Sequence, residues 1–559
     1  MWTRNLFLIL LLVPAAIVCS AISGSSDKTG SPGSIPATGS KGMVSSAHPL
    51  ATEAGLTILK SGGNAFDAAV ATASVLNVVE PMMSGIGGYG TILVYDADRR
   101  EIRFLDSSGK IPRAVDSDAF RPPTLDYLEN RRGPKAVSTP GNVNAWKAMS
   151  AGYGKLEWSA LFQIAIKLAR EGFILDNNTA GGIAHAFKEF PDHAKAFYGK
   201  NGNPLAAGEL LVQRDLARSL EMIAEQGAEA VYGGSIGQAI DTEMKNTGGF
   251  LSIKDLEADR AEWWPPIHIS YRGYEVYTAS PPSTAFPSLI RLGMMSQYDN
   301  AALGHNSMEY LHRYAEVTKH AFWCRLAYAG DPEINPPPLK KLLSVAYWKD
   351  AVGAIRMDRV KPFVPPSAAM NQGKHTTHFV VADGWGNIVC ATQTLGNAFG
   401  SRIMPEGTGI WLNNSLAYCT FEPKGNPMDA HAGHRKLSGD CPTIIIKDGK
   451  PWVALGTPGG HTIGQTVPQM VMNLVDFKMN IQEAIAAPRM SFIEPDIIAL
   501  ERDIPEKVRE ELRNLGHNIH VVRGLGNAHG LAIVYDGKGR TARFEGGADP
   551  RGSGKAAGY

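Results

Sequence analysis

At 559 residues the chain is long enough for one large domain or a few ordinary ones, and it can bury a substantial core. Its 55 lysines and arginines nearly balance 54 aspartates and glutamates, which excludes the one-signed field that draws a protein to nucleic acid. None of the five cysteines falls in a C-x-x-C pair, so zinc-ribbon and thioredoxin-like chemistry are excluded as well.

The opening "MWTRNLFLILLLVPAAIVCSA" has one arginine, a short apolar run and small residues around Ser20 and Ala21. That layout predicts a cleaved secretory signal over 1–21 and an exported, soluble protein, because the run is short for a membrane span. Cys19 follows the bulky Val18, which argues against a lipoprotein cleavage site. Residues 22–41 are rich in Gly, Ser, Pro and Thr and read as a flexible linker.

Next, "PLATEAGLTILKSGGNAFDAAVATASVLNVVEP" carries helical periodicity on both sides of Gly62 and Gly63, which predicts two helices and a turn. "TILVYDADRREIRFLD" predicts a hairpin. From about 141 to 335 the pattern is largely helical. Its strongest helices are "LVQRDLARSLEMIAEQGAEAVYGG" and "SMEYLHRYAEVTKHAFWCRLAYAGD", with a Pro- and Trp-rich crossing, "AEWWPPIHISYRGYEVYTASPPSTAFPS", between them. Residues 335–372 read as an exposed, cuttable connector. Strands follow at "HFVVAD", "NIVCATQTL", "CPTIIIKDG" and "PWVALGTPGG", then helices at "TVPQMVMNLVDFKM" and "NIQEAIAAPR", then strands around "HVVRG" and "GLAIVYDG". The sum is an α+β chain with its strands concentrated late. Cys324, Cys390, Cys419 and Cys441 allow one or two disulfides in an exported protein, without indicating a pairing.

Two motifs point away from chemistry. Gly85, Gly87 and Gly90 in "SGIGGYG" match the G-x-G-x-x-G spacing, but a helix precedes them and a hairpin follows, so a tight turn is expected and no dinucleotide. Asp429, His431 and His434 are ligand types without a fixed third partner or H-E-x-x-H spacing, so they read as a polar loop and no metal is expected.

"GKHTTHFVVAD" is different. A threonine hydroxyl becomes a competent nucleophile when a base takes its proton, and the residue's own α-amine, with a pKa of about 7.7–8.0, can serve once the chain is cut before it. Thr376 stands between a polar connector and a strand, and Thr392 and Thr394 share one face of the next strand. By spacing alone these threonines read first as strand formers.

The stretches "TTHFVVADGWGN", "TQTLGNAFG", "GTGIWLNN", "LSGDCPTIIIKDGKPW", "GTPGG" and "ADPRGSGKAAGY" resemble the small-subunit motifs of the γ-glutamyltransferase (glutathione hydrolase) family. Upstream, "ILKSGGNAFDAAVA", "SGIGGYG", "VSTPGNVNAW", "LVQRDLARSLEMIAEQG", "YRGYEVY" and "GDP" resemble its large subunit in the same order, so the similarity runs from about 42 to 559. The resemblance implies an N-terminal nucleophile hydrolase: a four-layer αββα sandwich, made as one precursor and self-cleaved between His375 and Thr376. The products would be a large chain, 42–375, and a small chain, 376–559, that stay together as a heterodimer. It also implies Thr376 as nucleophile, Thr394 as its supporting hydroxyl, and Gly459 and Gly460 as the backbone donors of an oxyanion hole. Ser438 would bind substrate, a small-molecule amide such as glutathione, and no cofactor is called for.

The family's glutamyl reader is altered. Ser108 stands where an arginine is expected, Gly439 replaces the second serine of a pair, Ser415 and Tyr418 occupy the amino-group positions, and Gly396 replaces an asparagine. Losing a bidentate arginine is not conservative. A same-fold acylase for a non-glutamyl amide is therefore the alternative expectation.

Overall fold

The computed structural model describes residues 34–124, 129–366 and 375–559. The signal over 1–21 and most of the linker lie outside the described residues. The last part of the linker is ordered, however: Ala37–Gly39 is a strand paired antiparallel with Thr541–Ala548. At three residues it is too short to show a period-2 pattern.

Two seven-stranded sheets face each other. The first runs Lys555–Gly558, Gly42–Ser46, His375–Asp383, Ile388–Gly396, Tyr89–Asp96, Glu101–Ser107 and Glu262–Trp264. The second runs Ala37–Gly39, Thr541–Ala548, His529–Tyr535, Lys450–Gly456, Thr443–Lys447, Tyr274–Thr278 and Ile267–Tyr271. Strand alternation assigns the core. Val380 and Ala382 meet Leu93, Cys390, Ile444, Ala454 and Leu531 between the sheets, whereas Phe379 and Val381 join the outer cluster. That outer cluster is covered by Pro49–Lys60 and Ala65–Val79, the second of which is capped by a reciprocal Asn64/Asp67 box. Helices Phe286–Met295, Met308–Tyr328 and Ile463–Val475 cover the other sheet. Helix, sheet, sheet and helix make the four-layer sandwich.

Several expectations change. The strands are not concentrated late, because Gly42–Ser46, Tyr89–Asp96 and Glu101–Ser107 belong to the first sheet. The Pro- and Trp-rich crossing holds an edge strand, Glu262–Trp264, and a hairpin, Ile267–Tyr271 with Tyr274–Thr278. Pro265 and Pro266 lie between the edge strand and the hairpin, and Pro281, Pro282 and Pro287 come after it, so no ladder N–H is lost. The connector contains helices Leu339–Leu342 and Val345–Gly353, anchored by buried Trp348, and only residues beyond them are mostly exposed. Cys324, Cys390, Cys419 and Cys441 are free, buried thiols, so the disulfides allowed by sequence are absent among the described residues. No helix among the described residues is long and apolar enough to cross a membrane.

Both sheets draw strands from either side of residue 375. A cut there would leave no interface to separate without exposing the core between the sheets.

Candidate active site

Thr376 begins the third strand of the first sheet at an irregularity in register: His375 pairs with Gly396, but Thr377 pairs with Gln393. Alternation along the strand puts the two threonines on opposite faces, and the extra residue of the bulge lies on the partner strand. Thr377 points outward, and its hydroxyl donates to Glu80 Oε2 at 2.9 Å. Thr376 points between the sheets and is 2% exposed. Its hydroxyl donates to Thr394 Oγ1 at 3.0 Å, and Thr394 Oγ1 donates to the His375 carbonyl oxygen at 2.6 Å. The Gly396 N–H donates to the same Thr394 oxygen at 2.8 Å, which fixes the direction of the chain of hydroxyls. Thr392, two residues back on that face, binds His378 Nδ1 at 2.8 Å instead.

The "SGIGGYG" loop presses on this pair from behind. It is a turn between helix and hairpin, as expected, and Gly88 lies so close to the Thr394 carbonyl that a side chain would overlap it. Its role is close backbone approach.

Gly459 and Gly460 follow strand Lys450–Gly456 and have φ of +139° and +62°, a pair of conformations open to glycine. The end of that strand abuts the first sheet at His378, against whose ring a side chain on Gly456 would collide. The glycine loop therefore begins three residues beyond this contact with His378, which shares a strand face with Thr376. Gly439 packs against the Gly460 carbonyl and the Tyr418 ring.

Ser438 is buried, and its hydroxyl donates to Asp440 Oδ2 at 2.8 Å and lies 3.2 Å from Thr91 Oγ1. Burial raises the Asp440 carboxyl to about 6. The altered positions are already committed. Ser108 Oγ donates to Asp106 Oδ2 at 3.1 Å, Ser415 Oγ is bonded to Ser138 Oγ, and Tyr418 is buried. Gly396, at φ +99°, has no room for a side chain because Asn414 Oδ1 fills the space. The polar loop splits. Asp429 pairs with Arg121, and His431 Nε2 lies 2.9 Å from the Asn426 carbonyl, while His434 approaches Asp331 and Glu333.

Sequence reasoning missed Glu80, Tyr89, Lys436 and Asp440. Glu80 is the C-cap of Ala65–Val79, and no spacing ties it to residue 377. Burial raises its carboxyl to about 7. A carboxyl raised in the folded state stabilises below its unfolded pKa, and that contribution is lost as pH rises through the folded value. Between about pH 4.5 and 7 the loss reaches about 3 kcal/mol. Glu80→Gln keeps the acceptor for Thr377 and removes the titration. The melting temperature of the variant relative to the parent is therefore expected to rise between pH 5 and pH 8.

Two stacked sheets with helices on both outer sides are the architecture of the N-terminal nucleophile hydrolase class. The γ-glutamyltranspeptidase family model matches residues 51–559, and the chain belongs to that family. It is 37% identical over 520 residues to the acylase ACY 1 proenzyme of Pseudomonas sp. (strain V22), covering 90% of this chain and 91% of the relative. It is 34% identical over 540 residues to the glutathione hydrolase proenzyme of Escherichia coli (strain K12), covering 92% and 91%. The crystal structure of cephalosporin acylase from Bacillus halodurans superposes with a TM-score of 0.87 at 28% identity, over 97% of this chain and 99% of that one. The protein is accordingly an enzyme with a precursor-type fold.

Proposed function

We propose that the chain cuts itself between His375 and Thr376 and then hydrolyses or transfers acyl groups through an ester on Thr376. The observation that carries this reading is the run of hydroxyls from Thr376 through Thr394 to the His375 carbonyl. Attack of Thr376 Oγ1 on the His375 carbonyl carbon would pass its proton to Thr394. Thr394 would give its own to the carbonyl oxygen, where charge develops. The C–N bond then breaks as the proton on that oxygen passes to nitrogen, which leaves as the α-amine of Thr376, and water opens the resulting ester. In turnover that amine is the base, and the Gly459 and Gly460 N–H groups receive the oxyanion. Thr394→Val is expected to slow precursor cleavage by about 10²-fold or more, read as the time course of the two chains on a denaturing gel, while Thr394→Ser retains it.

The donor we infer is an amide whose acyl part lacks an α-amino-acid head. Ser108, Ser415 and Gly439 offer no charged group, and the two serines are already bonded within the protein. The γ-glutamyl group of glutathione and related amides is the second reading, supported by the E. coli relative. Ser438 would contact either donor. Release of nitroaniline from acyl anilides with and without the α-amino group decides between them. Preference for the γ-glutamyl anilide overturns the first reading. The apolar N-terminus supports export, tested by fractionating the expressing cell.

A further inference from the structure

The strand that carries Thr376 is weakly held at its first residues. Its ladder with Gly42–Ser46 begins only at Phe379, so among the described residues 376–378 are paired on one side alone. On that side the register shifts between His375 and Thr377. A cut before Thr376 would take away its covalent neighbour as well, and a chain end held by half a ladder frays. The chemistry asks for the opposite, because a shift of about 1 Å between reacting groups can cost on the order of 10²-fold in rate.

Glu80 supplies the hold that the ladder lacks. It ends helix Ala65–Val79 and is 7% exposed, and its Oε2 accepts the Thr377 hydroxyl at 2.9 Å. The turn that begins at Glu80 is closed by the Met83 N–H, which donates to the Glu80 carbonyl at 2.9 Å. That turn also holds the chain beyond Thr394: the Met83 carbonyl accepts the Leu395 N–H at 2.9 Å, and the Met82 carbonyl accepts the Phe399 N–H at 3.0 Å. One short segment thus grips the residue after Thr376 and the residue after Thr394. The hydroxyls of those two threonines lie 3.0 Å apart.

Resting on the reading that Thr376 becomes an N-terminus, we propose that Glu80 is a positioning residue for the mature nucleophile. Through Thr377 it pins the second residue of the new chain to the Glu80–Met83 turn, and so keeps the Thr376 hydroxyl in register with Thr394. It touches no substrate. In the precursor the chain before Thr376 is still attached and shares this restraint, so the first cut depends on Glu80 less than turnover does.

The test measures kcat and KM for nitroaniline release by the two-chain enzyme, at equal concentrations of small chain and at one pH. Thr377→Val and Glu80→Leu are expected to mature, and each to lower kcat about 10-fold with KM within about 2-fold of the parent. Thr377→Ser and Glu80→Gln, which keep the donor and the acceptor, retain most of kcat. The double variant loses little more than either single one, because both remove the same bond. A Glu80 that served stability alone would lower the melting temperature and leave kcat per two-chain enzyme unchanged, and that result overturns the proposal. Losses that multiply in the double variant, or that fall on KM, overturn it too. Should Glu80→Leu fail to fold, Thr377→Val against Thr377→Ser decides. Failure of the underlying reading looks different: the parent itself gives no chain beginning at Thr376 and releases no nitroaniline.

Discussion

Thr376→Ala is expected to leave a single full-length chain on a denaturing gel and no acyl transfer to any donor. Both events use the same oxygen, so one substitution removes both. Thr376→Ser, which keeps the hydroxyl and loses the methyl, is expected to mature and to retain part of the turnover. Thr377→Ala is the sharpest control. Its hydroxyl faces Glu80 on the outer side of the sheet, so cleavage should survive. If Thr377→Ala blocked maturation and Thr376→Ala did not, the nucleophile would be assigned to the wrong threonine. N-terminal sequencing of the parent's small chain, expected to begin Thr-Thr-His, reads the same assignment directly.

The choice between adjacent threonines shows what the sequence could and could not say. Alternation alone puts residues 376 and 377 on opposite faces of a strand, but it does not say which face is inside. Here the answer depends on which face the second sheet covers, a feature of packing between sheets and not of the strand alone. The glycine loop was named through the family resemblance alone, since Gly233 with Gly234 and Gly546 with Gly547 are also consecutive and have no positive φ. The connector misled because its prolines and lysines mask Trp348, a single anchor that makes two short helices part of the core. Lys436 was invisible altogether. In "GHRKLSGD" it reads as one more surface charge, and its burial over Tyr89 is set by a partner hundreds of residues away. Sequence pattern reports periodicity within an element. Residues from distant stretches are brought together by the sandwich, and their pattern exists only there.

Gly459→Ala is expected to separate maturation from turnover. In the precursor the carbonyl to be attacked is already held by the Thr394 hydroxyl at 2.6 Å, so the glycine loop has no charge to receive in that step. The precursor should therefore still divide into two chains. In turnover the carbonyl belongs to a substrate, Thr394 is occupied with the nucleophile, and the backbone N–H groups of the loop are the donors left for the oxyanion. An alanine at φ +139° is strained, and its Cβ would lie 2.5 Å from Thr462 Oγ1, so the loop must shift. Misplacing one such donor costs on the order of 10²–10³ in kcat. A mature, two-chain variant with kcat down by that factor and KM little changed is the expected result. Normal turnover would remove the loop from the oxyanion role, and failure to mature would mean that the loop also serves the first cut.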